Sequence, residues 1–259
     1  MVFDTDAPDR FIPIDFASEI TINPVKNAII DVDENSTHDF EDISKRLSEL
    51  FCSAIEIRFF KSIEIEEIYQ ILGSFETSTM RTINLSIKYN KNWTIENILI
   101  LRSQNRRLNQ IILHHSPFEK SEQQSTISIL YTKQKITDQT HCGLIKPHYF
   151  MSNLSFFKES LQVNNCLDRK IGIDTKGNIK NCPSMEKSFG HISQIDFKNL
   201  INSNSFRKVW SITKDEIDIC KECEFRYICM DCRAYKSEKN QYSKPTKCNY
   251  NPYTTQWEE

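Results

Sequence analysis

Glycine is scarce in this chain of 259 residues, which contains only five. None of them falls in a GxGxxG or GxxxxGK[ST] pattern, which argues against the common phosphate-binding loops. The formal net charge of -2 offers no basic surface for nucleic acid. Apolar runs are too short to span a membrane, and the first residues, MVFDTDAPDR, are too acidic for a secretory leader. We therefore expect a cytoplasmic protein that binds neither nucleic acid nor membrane.

Cysteine is unevenly distributed, because eight of the nine cysteines follow residue 140. The part before them is rich in periodic apolar patterns, whereas the part after them is rich in turns and loops. This change in composition predicts two domains, residues 25–138 and residues 139–259. A chain of this length buries a sufficient core without covalent crosslinks, so the cysteines are not needed to compensate for small size.

Short β-branched runs recur in the first part of the chain. AIIDV, IEIRF, INLSI and IILHH begin at residues 28, 55, 83 and 111, and ISILY follows at residue 127. The interval of about 28 residues suits a strand, a crossover helix and two loops. The segments between the runs have helical spacing, with Ser36 and Asp39 as a capping box before the first helix and Thr94 as the cap of the third. The pattern predicts an α/β fold whose parallel sheet curves like part of a (β/α) barrel.

Four cysteines lie within the thirteen residues CKECEFRYICMDC, numbered 220–232. They form two CxxC pairs, Cys220 with Cys223 and Cys229 with Cys232. A CxxC spacer lets two sulfurs turn toward one point, and in a reducing compartment such pairs more often bind metal than each other. We therefore predict a metal site here. The isolated Cys52 is expected to be a small buried core residue.

Four more cysteines flank this segment, and a hairpin with its turn at Gly177 is expected to bring two of them together. Eight thiols suit two four-cysteine sites, which could hold either two [4Fe–4S] clusters or two structural zinc ions. The flanking cysteines are Cys142, Cys166, Cys182 and Cys248.

The order and spacing of these cysteines resemble the SPASM domain of radical SAM peptide-modifying enzymes. The matching pattern is Cys166-x10-Gly177-x4-Cys182, then the 220–232 segment, then Cys248, and FGHI and FRKVW fit the connecting segment. Longer phrases resemble the SPASM-domain peptide maturase of grasp-with-spasm systems over nearly the whole chain from about Asn27. They are AIEIRFFK, CGLIKPHYF, NCLDRKIGIDTKGNIKNCPSM, CKECEFRYICMDCRAY and KPTKCNYNPYT.

The resemblance implies a role in maturing a ribosomally made precursor peptide, beside a partner ATP-grasp ligase. It also implies two [4Fe–4S] clusters with interlaced ligands. Cys166, Cys182 and Cys232 would bind the first cluster, with Cys142 as our candidate for the fourth ligand. The second cluster would be bound by Cys220, Cys223, Cys229 and Cys248.

The sequence departs from this family in two places. Only Met230 and Asp231 separate the last two clustered cysteines, where the family usually has three residues, so a single zinc site made of the four cysteines in 220–232 stays an alternative. The loop after the first predicted strand reads DENSTHD (33–39) and lacks the CxxxCxxC motif of the SAM-cleaving cluster. We therefore expect no SAM and no radical chemistry. The alternatives are a redox-active iron–sulfur enzyme and a zinc-binding interaction module.

A few charged residues occur where α/β proteins build their sites. Asp31, Asp33 and Glu34 lie at the end of the first predicted strand, where solvated capping acids are more common than a catalytic pair. Arg58 is a charge within an apolar strand, expected to face either a polar groove or solvent. His114 ends the fourth predicted strand.

Overall fold

An eight-stranded, mostly parallel sheet organises the protein. The computed structural model describes residues 23–124, 126–236 and 240–258. In these residues the strand order is β5-β6-β4-β3-β2-β1-β7-β8, and a separate pair, β9 and β10, forms a small ribbon. The strands are β1 (Asn27–Val32), β2 (Ala54–Phe59), β3 (Thr82–Lys88), β4 (Leu108–His114), β5 (Lys120–Gln124), β6 (Ile127–Tyr131), β7 (Lys170–Ile173), β8 (Ile179–Lys180), β9 (Tyr250–Asn251) and β10 (Gln256–Trp257).

Three helices connect the first four strands; of three shorter helices, one lies between β6 and β7 and two follow β8. Adjacent strands from β1 to β4 are parallel, which requires a crossover between each pair. The structure confirms the predicted α/β class and every strand predicted from the apolar runs. The helices are α1 (Phe40–Glu49), α2 (Ile65–Gly73), α3 (Ile95–Gln104), α4 (Leu154–Ser160), α5 (Phe197–Asn202) and α6 (Asn204–Arg207).

The two faces of the sheet differ in polarity. Ile30, Ile57 and Leu85 occupy paired positions on β1, β2 and β3, and all three are buried in the core. Right-handed crossovers, the general rule for parallel strands, place α1, α2 and α3 together on this apolar face. On the opposite face the paired Glu56 and Asn84 are only partly buried. The alternation in IEIRF and INLSI therefore reflects one face under helices and one polar face.

Side-chain caps fix where the first and third helices begin. The Asp39 carboxylate accepts the backbone N–H groups of Glu41 and Asp42, both at 3.0 Å. The prediction that Ser36 forms a capping box was wrong, because its single O–H is within hydrogen-bond reach of Asp33 Oδ1 and of the Thr175 carbonyl instead. The Thr94 cap is confirmed by its bond from the N–H of Asn97.

The β7–β8 hairpin extends the sheet from the later part of the chain. β7 pairs in parallel with β1, and β8 pairs antiparallel with β7. Gly177 forms the turn with a φ of 77°, and a side chain there would collide with His191. The boundary between residues 25–138 and 139–259 stays a prediction. In the described residues, two strands from beyond that boundary belong to the same sheet.

The remainder of the chain is short helices and turns around the cysteines. A second, smaller core packs Ile212, Ile217 and Cys220 together. None of the helices in the described ranges is both long and apolar enough to cross a bilayer.

Candidate metal centre

Four thiols from distant parts of the chain come together beside the β7–β8 hairpin. We call them group one: Cys142, Cys166, Cys182 and Cys232. The Cys166 thiol interacts electrostatically with those of Cys232 and Cys142, and the Cys182 thiol with those of Cys166 and Cys142. Cys232 in turn interacts with Cys142 and Cys182. Every pair in group one is therefore close enough for its charges to interact.

Local structure positions each member of group one. Cys166 lies in a turn that precedes β7, where Asn164 Oδ1 accepts its N–H at 3.1 Å. Cys182 follows β8, so the hairpin sets its separation from Cys166. Gly143 has a φ of 83°, and a Cβ there would lie 2.8 Å from the Cys232 sulfur. The backbone after Cys142 therefore packs directly on Cys232, and only glycine fits.

Four of the remaining five thiols form group two: Cys220, Cys223, Cys229 and Cys248. Cys220, Cys223 and Cys229 each interact electrostatically with Cys248. A 3-10 turn begins at Cys220, and Ile219 before it has a φ of 67°. Positive φ is unusual for a β-branched residue and indicates a backbone held by its surroundings.

Burial keeps most of these thiols protonated when no metal is bound. It raises the pKa of Cys182 and of Cys220 to about 11. Burial also raises the pKa values of Cys166 and Cys229. A thiol must lose its proton to bind iron or zinc, so metal binding here releases protons and is favoured by rising pH.

One lysine accompanies each group of thiols. Lys170 Nζ lies 3.7 Å from Cys166 Sγ and also interacts with Cys182 and Cys142. Lys214, which is 5% exposed, interacts with Cys229 and Cys220. Burial disfavours the charge on both amines, but the neighbouring acidic groups outweigh it and raise the pKa of each. These cations compensate the negative charge that thiolates acquire when they bind metal.

The residues of both groups fit an iron–sulfur cluster in their chemistry, with four soft thiol ligands and an adjacent cation in each. Within the described ranges, no three histidine, cysteine, aspartate or glutamate side chains converge closely enough to hold one metal ion. A cubane cluster places each thiolate on a different iron, so its ligands stand farther apart than those of a single ion.

The carboxyl ends of the first strands hold a buried ion pair rather than a set of thiols. Arg58 donates to both carboxylate oxygens of Asp31, from Nε at 2.7 Å and from Nη2 at 2.8 Å. Burial disfavours the Arg58 charge, but Asp31 outweighs it and raises the pKa of the guanidinium. In the 33–39 loop, the Asp33 N–H donates to the Ser36 hydroxyl at 2.9 Å, and His38 Nε2 lies 2.8 Å from the Asp31 carbonyl. The expectation of solvated acids was therefore wrong for Asp31.

His114 is fully buried at the carboxyl end of β4. Its Nε2 lies 3.0 Å from the Phe59 carbonyl, which requires a proton on that nitrogen, and its Nδ1 lies 2.7 Å from His115 Nδ1. Burial lowers the pKa of His114 from 6.5 to about 4. The unfolded chain therefore binds this proton at higher pH than the folded chain does.

From this difference we predict that the free energy of unfolding falls as pH decreases from about 6.5 to about 4. Urea midpoints measured across this window should fall more steeply for the wild type than for His114→Gln, which keeps a donor for Phe59. Other titrating groups are common to both chains and cancel in the comparison. Parallel pH profiles for the two chains would contradict the prediction.

A cleft of about 780 Å³ lies between the segment that carries Cys142 and the C-terminal ribbon. Leu144 and Trp257 supply exposed apolar surface to it, 45% and 37% exposed respectively. Lys146 and Lys247 supply positive charge, and Lys247 also donates to the Cys142 carbonyl at 2.6 Å. The cleft is therefore lined by residues on either side of Cys142 in the sequence, and it combines apolar and cationic walls.

The eight cysteines selected from the sequence make up the two groups described above, and their role as metal ligands stays a prediction. Sequence reasoning missed their polar neighbours. Lys170 is four residues after Cys166, and Lys214 is six residues before Cys220, so neither belongs to a recognised spacing. Asp231 carried a signal, because it is an acid within the shortened spacer between two cysteines. Gly143 carried another, as one of only five glycines.

Comparison with known proteins agrees with this geometry over part of the chain. A family model described as SPASM, an iron–sulfur cluster-binding domain, matches residues 165–224. No curated protein and no solved structure matches the chain. The matched range contains Cys166, Cys182, Cys220 and Cys223, two thiols from each group. Residues 165–224 of this protein are therefore similar to SPASM iron–sulfur cluster-binding domains.

Proposed function

We propose that this protein is an accessory factor in the maturation of a ribosomally synthesised peptide. It would bind the precursor peptide and present it to a partner ATP-grasp ligase, and its SPASM part would be organised by two [4Fe–4S] clusters. Group one would bind one cluster and group two the other. The observation that carries the proposal is the gathering of eight thiols into two groups of four, each with its own cation.

The clusters in this proposal are structural. A bound [4Fe–4S] cluster supplies four thiolate bonds that fix loops, and it is also capable of one-electron transfer. The chain's own residues do the rest: the β7–β8 hairpin spaces Cys166 from Cys182, and Lys170 and Lys214 offset the thiolate charge. The 33–39 loop contains no cysteine, so the chain offers no three-thiol ligand set for a SAM-cleaving cluster after β1.

The cleft beside group one supports peptide binding. Apolar walls at Leu144 and Trp257 suit side chains of an extended peptide, and the amines of Lys146 and Lys247 suit acidic ones. Glu258 is the single acid among the residues that line the cleft, so its rim is cationic on balance. A peptide in this position would lie against a rigid, cluster-bound framework from which a ligase could reach it.

Binding assays test this function. The full chain, purified without oxygen, should bind a ribosomally made precursor peptide and an ATP-grasp ligase from the same organism, as measured by pull-down and calorimetry. Leu144→Asp should weaken peptide binding about tenfold or more, because it places a charge on the apolar wall. Leu154→Asp is the matched control, since Leu154 is also exposed (54%) but lies on α4 and does not line the cleft. No binding to either partner would overturn the proposal.

Elemental analysis tests the metal assignment separately. Two [4Fe–4S] clusters correspond to about eight iron and about eight sulfide per chain. Anaerobically purified protein should be brown and contain these amounts. Colourless protein that contains zinc would instead support a zinc-binding interaction module.

A redox-active enzyme is the second candidate function, favoured by the position of Cys142. This thiol is only partly buried and its segment borders the cleft. If group one held its cluster through three thiols only, the open iron would face that cleft. Cys142→Ala should then leave the iron content unchanged, whereas loss of one cluster would identify Cys142 as a ligand and remove the argument for an open iron.

A further inference from the structure

A buried carboxylate lies between the two groups of thiols. Asp231 is 2% exposed, and it directly precedes Cys232 of group one and follows Cys229 of group two by two residues. Its charge acts on Cys166 in group one and on Cys220 and Cys229 in group two. Asp231 therefore influences thiols of both groups.

On the side of group one, Asp231 is fixed to the turn that carries Cys166. Asn164 Nδ2 donates to Asp231 Oδ2 at 2.7 Å, and Asn164 Oδ1 accepts the N–H groups of Cys166 and Leu167 at 3.1 and 2.9 Å. The Asp231 N–H donates to Asn165 Oδ1 at 3.1 Å. The orientation of Asn164 is set, because its oxygen is engaged by two backbone donors. Only its amide nitrogen can meet Asp231, which must therefore present an acceptor.

On the side of group two, Asp231 faces two cations. Lys214 Nζ lies 3.8 Å from Asp231 Oδ1, and Arg233 Nε donates to the same oxygen at 3.0 Å. Lys214 is also the cation beside Cys220 and Cys229. Arg233 NH1 donates to the Ser243 carbonyl at 2.8 Å, which ties the network to the segment leading to Cys248.

The charges of this network do not cancel. One carboxylate meets two cations, which leaves about one positive charge in a region shielded from water. A structural ion pair needs only one partner of each sign, and a buried excess cation is costly unless further negative charge lies nearby. Two thiolate-bound clusters supply that negative charge, one on each side.

We propose that Asp231 is a charge shared by both cluster sites, which positions the Cys166 turn and sets the reduction potentials of both clusters. This inference rests on the two-cluster assignment made above. A negative charge near a cluster disfavours the electron added on reduction, so Asp231 holds both potentials down. The shortened spacer of two residues between Cys229 and Cys232 places this carboxylate between the sites.

Redox titration of the iron-loaded full chain, followed by electron paramagnetic resonance, tests the proposal. Asp231→Asn removes one negative charge and should shift the midpoint potentials of both clusters upward. Asp231→Glu keeps the charge and should leave both close to the wild-type values. Asp215→Asn is the matched control, because this acid is 46% exposed and should shift neither potential. Lys170→Met should lower one potential and so identify the cluster of group one.

Lys214→Met covers the case in which Asp231→Asn fails to fold or to retain iron. It removes the cation that offsets Asp231, so both potentials should fall. A shift confined to one cluster, or no shift in the Asp231 and Lys214 variants, would overturn the inference. A chain that binds fewer than two clusters would instead refute the metal assignment. Loss of peptide binding would affect neither the metal assignment nor the inference about Asp231.

Discussion

Replacing Cys182 with alanine should remove about half of the iron, and replacing Cys223 should remove the other half. Cys182 belongs to group one and Cys223 to group two, and each cluster needs most of its thiolates to persist. The double variant should therefore lose nearly all of its iron. Iron and sulfide per chain, measured after anaerobic purification, give the result directly.

Combining variants tests how the thiols are partitioned between the groups. Adding Cys232→Ala to Cys182→Ala should cost no further iron, because both thiols serve group one, whereas adding it to Cys223→Ala should remove the rest. If Cys232→Ala instead cost further iron in the Cys182→Ala chain and none in the Cys223→Ala chain, the result would support one metal bound by the four cysteines of 220–232. Cys52→Ala is the matched control, since Cys52 is buried in the sheet's core and its Sγ lies 3.4 Å from the Ala54 carbonyl. It should retain all of its iron.

Arg58→Met should destabilise the protein by about 3–5 kcal/mol, the usual cost of leaving a buried charge without its partner. Asp31 is 1% exposed and would lose two hydrogen bonds from the guanidinium. Methionine retains much of the aliphatic volume of arginine. The loss of stability therefore reflects the unpaired Asp31 charge more than a cavity. The free energy of unfolding of the metal-loaded protein in urea measures the effect.

Restoring charge balance should recover most of that stability. Asp31→Leu combined with Arg58→Met replaces the pair by apolar groups, a change that is often close to neutral. Arg106→Met is the control for loss of an exposed arginine and should have little effect. If Arg58→Met proved as mild as Arg106→Met, the pair would contribute little to the fold.

The sheet could be predicted because each of its parallel strands is marked by a pattern within a short stretch of sequence. Each apolar run is one strand, and the interval of about 28 residues reflects the crossover geometry. The Asp31–Arg58 pair was also within reach. Both residues are fourth in their runs, AIIDV and IEIRF, and parallel strands in register place them opposite each other. Taken singly, the acid at Asp31 predicts solvent exposure, whereas the two charges taken together predict a pair.

The surroundings of the thiols could not be predicted, because they depend on contacts between distant segments. Lys170 and Lys214 look like surface lysines in the sequence, and only the tertiary fold brings them to Cys166 and Cys229. Ser36 fits a capping box by spacing, yet a carbonyl 139 residues away competes for its hydroxyl. Cysteine spacing predicts candidate ligands, whereas it carries no information on the charges that surround them.

The pairing of β7 with β1 has a consequence for how this protein would fail. β1 is an apolar strand, and β7 occupies the edge that it would otherwise expose. Cys166 and Cys182 flank the β7–β8 hairpin, so a cluster bound by these thiols, as proposed above, would also hold the hairpin in place. Loss of that cluster would then loosen the hairpin and uncover an apolar strand edge, which is a template for intermolecular pairing. Oxidative damage to the centre should therefore lead to aggregation as well as to loss of colour.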